Sequence, residues 1–183
     1  MKRVAREEVL DWATYDDERK ARQERIFAVK EPRRIHAGEF LTFLFENHDT
    51  VLYQVQEMVR AEKIVRDAEV RHEIDTYNEI LGAEGELGCV LLIEIDDPAE
   101  RQVKLTRWLD LPKHLFVKLE DGRKVRATHD ARQVGEPRVS SVQYLKFDTK
   151  GEVPVALGAD HPDLAVEASL TEPQRHSLAE DLS

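Results

Sequence analysis

The sequence predicts an α+β fold in which N-terminal helices, a β-hairpin and a helical hairpin precede a largely antiparallel sheet carrying one or two helices. Three observations predict it. Apolar residues recur at helical spacing between residues 50 and 81. After residue 87 the texture changes to short β-rich or alternating runs. The connections between those runs are short and turn-like, as at Asp121-Gly122, and short connections join antiparallel strands. At 183 residues the chain fits one domain, or two closely packed subdomains, 1–86 mainly helical with the hairpin and 87–183 mainly antiparallel sheet.

Each element has a local cause. Residues 6–13 and 15–31 read as helices, the second carrying Ile26, Phe27 and Val29 on an otherwise charged segment and stopping before Pro32. "RRIHAGEFLTFLFE" reads as two extended segments around Gly38, a hairpin. Leu41, Phe43 and Phe45 share one face of its second strand, while Phe40 and Leu44 take the other, so that strand is expected to be covered on both sides and central. Asn47 or Asp49 offers a short side-chain oxygen to the orphan N–H groups of a helix over 50–65. A second helix, 67–81, is expected to stop at a left-handed Gly82. The short link makes these helices antiparallel neighbours.

"GCVLLIEIDDP" reads as a buried strand followed by Asp97-Pro98-Ala99-Glu100, which supplies an N-cap, a proline at the first helical position and a capping-box glutamate. That helix is expected to run to about Asp110, before Pro112. In "HLFVKLEDGRKVRAT" a two-residue turn would set Leu119 against Lys124. A three-residue loop, Glu120-Asp121-Gly122, pairs Val117 with Val125 and Leu115 with Ala127 instead. Because a one-residue slip turns an apolar set outward, the longer loop is expected, with Gly122 in the left-handed position. "RVSSVQYLKF" adds a strand. "DLAVEASL" alternates as a half-exposed one, with Leu164, Val166, Ala168 and Leu170 on one face, and Thr171-Glu172-Pro173-Gln174 opens a last short helix.

Composition narrows the function classes. Apolar residues make up 41% and charged ones 35%, which places the chain among folded, highly soluble proteins. Cys89 is the single cysteine, so one chain builds neither a disulfide nor an all-cysteine metal site. "MKRVAREEVLDW" has no apolar signal core, and no apolar run approaches a membrane span, so the expected compartment is the cytoplasm. A net charge of −10 disfavours non-specific attraction to nucleic acid or anionic lipid. The charge is uneven: residues 18–34 hold seven basic against three acidic side chains, and residues 148–183 hold eight acidic against two basic. The two regions are expected either to face solvent or neutralise one another, or to present a basic docking surface. No phosphate-binding glycine loop, G-x-G-x-x-G, H-E-x-x-H or nucleophile elbow is present.

A few residues could carry chemistry. On the helix after Asp49, a turn of 100° per residue puts Val51, Leu52, Val55, Met58 and Val59 on one face, and Glu62 projects from the middle of it. An inward carboxylate must be paired, hydrogen-bonded, metal-bound or protonated. The alternative is that Glu62 reaches solvent or pairs with a neighbouring cation. Gln54 and Gln56 edge the same face. On the facing helix Glu69 and His72 have the i, i+3 spacing that is half of a di-metal carboxylate motif, without the second half. A mononuclear site drawing on Glu57, Glu62, His72 and Glu73 stays open, with iron or manganese as the metals that suit carboxylate and imidazole. His36, Glu46, Asn47, His48 and Asp49 crowd the strand ends and the helix start, where loops place functional groups and where capping alone also explains Asn47 and Asp49. Cys89 shares a face with Leu91, Ile93 and Ile95 and is expected to be buried and inert.

The blocks "RRIHAGEFLTFLFENHDTVLYQVQEMVRAE", "HEIDTYNEI", "ELGCVLLIEI" and "RVSSVQYLKF" together resemble a bacterial family, domain of unknown function 3501, over nearly the whole chain. The motifs that carry the resemblance are F-L-F-E-N-x-D-T-V (Phe43 to Val51), Q-x-Q-E-M (Gln54 to Met58) and H-E-x-x-x-Y-N (His72, Glu73, Tyr77, Asn78). The resemblance implies no particular reaction. It implies a setting beside rubrerythrin-like proteins and iron-sulfur oxidoreductase subunits. Three expectations follow: a binding or accessory module of a redox or peroxide-defence system, working through Glu46 to Asp49 and the helical hairpin with Tyr77 and Asn78; a mononuclear metal enzyme; or an RNA or anion binder using Arg19, Arg22, Arg25, Arg33 and Arg34, which the acidic balance disfavours for nucleic acid.

Overall fold

A computed structural model describes residues 1–129 and 137–183. Among the described residues, five α-helices and two antiparallel sheets make an α+β fold. The helices are α1 (Trp12–Lys30), α2 (His48–Ala61), α3 (Asp67–Asn78), α4 (Pro98–Arg107) and α5 (Glu172–Leu182). The strands are β1 (Arg34–Ala37), β2 (Leu41–Glu46), β3 (Glu86–Ile93), β4 (Leu115–Lys118), β5 (Lys124–Arg126), β6 (Thr128–His129), β7 (Val142–Asp148), β8 (Ala156–His161) and β9 (Leu164–Ser169). The first sheet has the order β1-β2-β3-β7-β6 and the second β5-β4-β8-β9. It joins strands from both sides of residue 86, since β2 lies beside β3 with Phe45 opposite Cys89. The chain from Lys124 to His129 serves both sheets, with β5 in one and β6 in the other.

The main core fills the space between the sheets. Phe43, Phe45, Cys89, Leu91 and Phe147 contribute from the first, Leu115, Val117 and Leu157 from the second, while Trp108 after α4 and Leu178 of α5 close the cluster. A second core joins Val51, Val55 and Val59 of α2 to Val70 and Ile74 of α3 and to Val4 and Val9 of the N-terminal segment. The expected hairpin, the central β2 and the three-residue loop are all present. Val117 lies opposite Val125, the Ala127 N–H donates to the Leu115 carbonyl, and Gly122 has φ +85°.

Four local readings are corrected. Residues 6–13 form only a 3-10 turn, Arg6–Glu8, because Asp11 caps a new helix by accepting from the N–H groups of Ala13 and Thr14. The next helix ends at Ala61 rather than 65. Lys63 takes the left-handed conformation (φ +50°), the Ile64 N–H bonds the Val59 carbonyl at 2.9 Å and the Lys63 N–H bonds the Arg60 carbonyl, which is a Schellman stop. Third, α3 ends at Asn78, and Gly82 is not left-handed. It is needed for space, since a Cβ there would lie 2.1 Å from the Glu86 carbonyl. Finally, β8 was not expected. "ALGADH" has weak strand propensity, yet it is inserted between β4 and β9, where a Cβ at Gly158 would lie 2.0 Å from the Val166 carbonyl.

Candidate functional site

The junction where β2 passes into α2 is built from a run of side-chain hydrogen bonds. Asn47 is the N-cap of α2: its Oδ1 accepts from the Thr50 N–H at 3.0 Å, and the Thr50 hydroxyl accepts from the Asn47 N–H at 2.9 Å. The Asn47 amide donates in turn to Asp181 of α5 at 3.1 Å. Asp181 holds the buried Arg33 in a two-point pair, Nε to Oδ2 and Nη2 to Oδ1, both 2.8 Å. Arg33 also donates to the Val29 carbonyl at the end of α1 and to the Ser177 carbonyl of α5. One guanidinium therefore ties α1, α5 and, through Asp181, the start of α2. Of the basic segment 18–34, Arg33 meets the acidic C-terminal segment in this way, whereas Arg19 and Arg22 pair with Glu57 and Glu18.

Glu46 sits beside this network at the end of β2, in a cleft of about 320 Å³ between the C-terminal part of α1 and the outer face of the first sheet. Phe27, Leu44 and Phe45 line its apolar side, and Lys30, Arg33, Arg34 and Glu31 line the rest. Burial pushes the Glu46 carboxyl above its ordinary value. The Asp181 charge adds to that, and the Thr50 hydroxyl, Lys30 and Arg33 pull the other way. Glu46 makes no ion pair among the described residues. The same burial, with Glu46 near, raises the Cys89 thiol well above its usual range, which keeps it protonated and unreactive.

The other expected site residues are dispersed. Glu62 is exposed at the C-cap of α2, beyond the last helical turn, so of its two expected placements the solvent-facing one holds and it is not aimed inward; the apolar position is taken by Ile64 after the chain reverses. His72 is exposed on α3, away from its buried face of Val70 and Ile74. Glu57 is held by Arg19, at 2.9 Å through both Nε and Nη2, and by the Tyr15 hydroxyl at 2.7 Å, which joins α1 to α2 and depresses its pKa. Glu57, Glu62, His72 and Glu73 do not converge, and no group of three or more His, Cys, Asp or Glu among the described residues is placed to hold a metal.

Gln56 and Asn78 are buried clamps. Gln56 accepts from the Leu10 N–H and donates to the Leu10 carbonyl, while Asn78 does the same to Val4, at 2.9 to 3.0 Å throughout. Each side-chain amide imitates a strand neighbour and fastens the N-terminal segment to the helices. Gln54 is half-buried on α2, and Asp49 is exposed beside His48, whose imidazole lies between it and Glu8. His36 is exposed on β1, with its Nδ1 2.8 Å from the Thr42 hydroxyl, which also bonds Glu94. Tyr77 and Glu73 line a larger groove, about 600 Å³, between α3 and β6 and β7, together with Arg3, Tyr144 and Lys146.

Sequence reasoning singled out Glu46 and Asn47 but missed Asp181 and Lys30. Asp181 is 134 residues from Asn47, and only the opposed charge counts of the two segments hinted at the pairing. A third polar cluster was also missed. His161, in the unexpected β8, is buried between Asp110 and the Asp163 N–H, and its ring lies 5.1 Å from that of His114. Because Nδ1 of His161 accepts from a backbone N–H, its proton sits on Nε2 toward Asp110, a positioning bond rather than a metal ligand.

Fold and site together define an α+β protein with two antiparallel sheets, braced by helices, and an acid-bearing cleft at the strand-to-helix junction. The chain belongs to the family described as Protein of unknown function (DUF3501), whose family model matches residues 3–182. It is similar to a solved structure, a novel protein of unknown function from Burkholderia pseudomallei K96243, with 27% identity, a TM-score of 0.90 and 100% of both chains covered. No curated protein matched it. Among the described residues no helix is long and apolar enough to cross a membrane.

Proposed function

We propose that this chain is a cytoplasmic binding module whose ligand enters the cleft at Glu46. The observation that carries the reading is Glu46 itself, a part-buried carboxyl without an ion-pair partner among the described residues, at a cleft beside apolar side chains and cations. Buried charge is normally paired, so an unpaired acid whose pKa burial raises, standing in a cleft, is a candidate for a site rather than for the scaffold. Its surroundings are stiff, because Arg33, Asp181 and Asn47 lock three elements before anything binds, and preorganisation lowers the cost of binding. A buried thiol without a disulfide partner suits a reducing compartment.

The redox setting comes to this chain through the family resemblance, which makes rubrerythrin-like or iron-sulfur proteins the partners to titrate against it. The cleft is tested separately, by amide chemical-shift mapping of the full chain against a fragment collection of mixed charge. Perturbations are expected to centre on Phe27, Lys30, Leu44 and Glu46. Fragments that cluster only in the groove of Tyr77 and Lys146 would move the working surface there.

A further inference from the structure

Resting on that reading of the Glu46 cleft, we propose that its ligand is a small monocarboxylate with an apolar tail, the carboxylate held by Arg34 and Lys30 and the tail laid on Phe27 and Leu44. Shape and charge carry the inference. Phe27 is 58% exposed, although its neighbour Ile26 is buried, and it lines the cleft opposite Leu44, which is itself only part-covered. Such a pair leaves an apolar surface for a ligand to cover.

The charges around the cleft are unequal in availability. Arg33 is spent on Asp181 and two carbonyls. The Arg34 side chain makes no hydrogen bond or ion pair among the described residues. Lys30 makes no ion pair among them, and its ammonium rests 5.0 Å from the Tyr53 ring. Against these two cations stands Glu31 on the exposed lip. Burial raises the Glu46 carboxyl above its ordinary value, which favours its uncharged form beside an incoming carboxylate. Lys30 and Arg34 therefore outnumber Glu31 at the cleft, in a chain of net charge −10, and two cations without an ion pair among the described residues suit one carboxylate. The guanidinium fork of Arg34 suits a carboxylate through two parallel bonds. A volume of about 320 Å³ fits a small tail and no folded partner.

The test titrates hexanoate, hexanol, hexylamine and acetate separately into the full chain labelled with ¹⁵N, and follows the amides of Phe27, Lys30, Arg34, Leu44 and Glu46. Hexanoate is expected to saturate these shifts, and the other three to bind at least about tenfold more weakly, the effect of losing one charge-assisted bond or the apolar contact. Replacing the exposed Arg34 by Gln, with Lys30→Gln, is expected to weaken hexanoate by a similar factor without lowering Tm. Hexanol or hexylamine binding at these residues as tightly as hexanoate would overturn the carboxylate assignment and leave the cleft as a binding site. Acetate binding as tightly would remove the tail. If none of the probes moves these amides, the ligand assignment falls, while the binding reading stands or falls with the fragment mapping.

Discussion

Glu46 costs stability where it stands. Its carboxyl pKa is raised by burial, so between the ordinary glutamate value and the raised one the folded chain binds more protons than the unfolded chain. Stability then falls as pH rises through that window, and the cost is fully present above it. Glu46→Gln keeps the shape and removes the titration. It is expected to raise the urea midpoint at pH 7 and to leave it unchanged below the ordinary glutamate value, so an equal effect at both pH values would contradict the assignment. Residue-scale reasoning also covers the two clamps. Gln56→Ala or Asn78→Ala strands the backbone groups of Leu10 or Val4 and opens a gap. Each is expected to cost about 1–3 kcal/mol in denaturant unfolding, with faster amide exchange in residues 4–10.

Between elements, the deciding contact is Arg33 with Asp181. Asp181→Ala would leave a guanidinium, 5% exposed, without its counter-charge, and a loss of about 3–5 kcal/mol is expected. Replacing both partners by apolar residues, Arg33→Met with Asp181→Leu, is expected to recover most of that loss, because the desolvation cost disappears along with the pair. A double-mutant cycle by urea denaturation checks it, and additive losses would show that the two side chains act independently. The end of α2 gives a second element-scale expectation. Lys63 adopts φ +50°, a conformation that disfavours a side chain, so Lys63→Gly should stabilise by up to about 1 kcal/mol.

At the scale of the molecule, Phe45 and Cys89 stand opposite one another across β2 and β3 and belong to the main core that both sheets line. Phe45→Ala is expected to cost about 3–5 kcal/mol by emptying that core. Cys89 should stay silent toward a thiol-specific disulfide reagent in the native protein and react fully once denaturant opens the fold, since it is completely buried and its thiol holds its proton. Prompt reaction without denaturant would mean that the core opens far more readily than its packing implies.

What the sequence determined was local. Alternation put Phe43 and Phe45 on one face of a central strand, Asn47 closed a capping box within four residues, and the apolar register of Val117 and Val125 chose a three-residue loop over a two-residue one. These are decided by neighbours a few bonds away, so the α+β class was legible too. The tertiary structure decided the rest. Helical periodicity aimed Glu62 inward, but a Schellman turn at Lys63 ended the helix one residue before it, and no local pattern shows where a chain will reverse. The strand at "ALGADH" exists because β4 and β9 offer ladder bonds on both sides, which outweighs its poor propensity. The cleft at Glu46 needs Arg33 and Asp181, 148 residues apart, to meet, and only the packed fold removes the water that would otherwise screen them and leave Glu46 an ordinary acid.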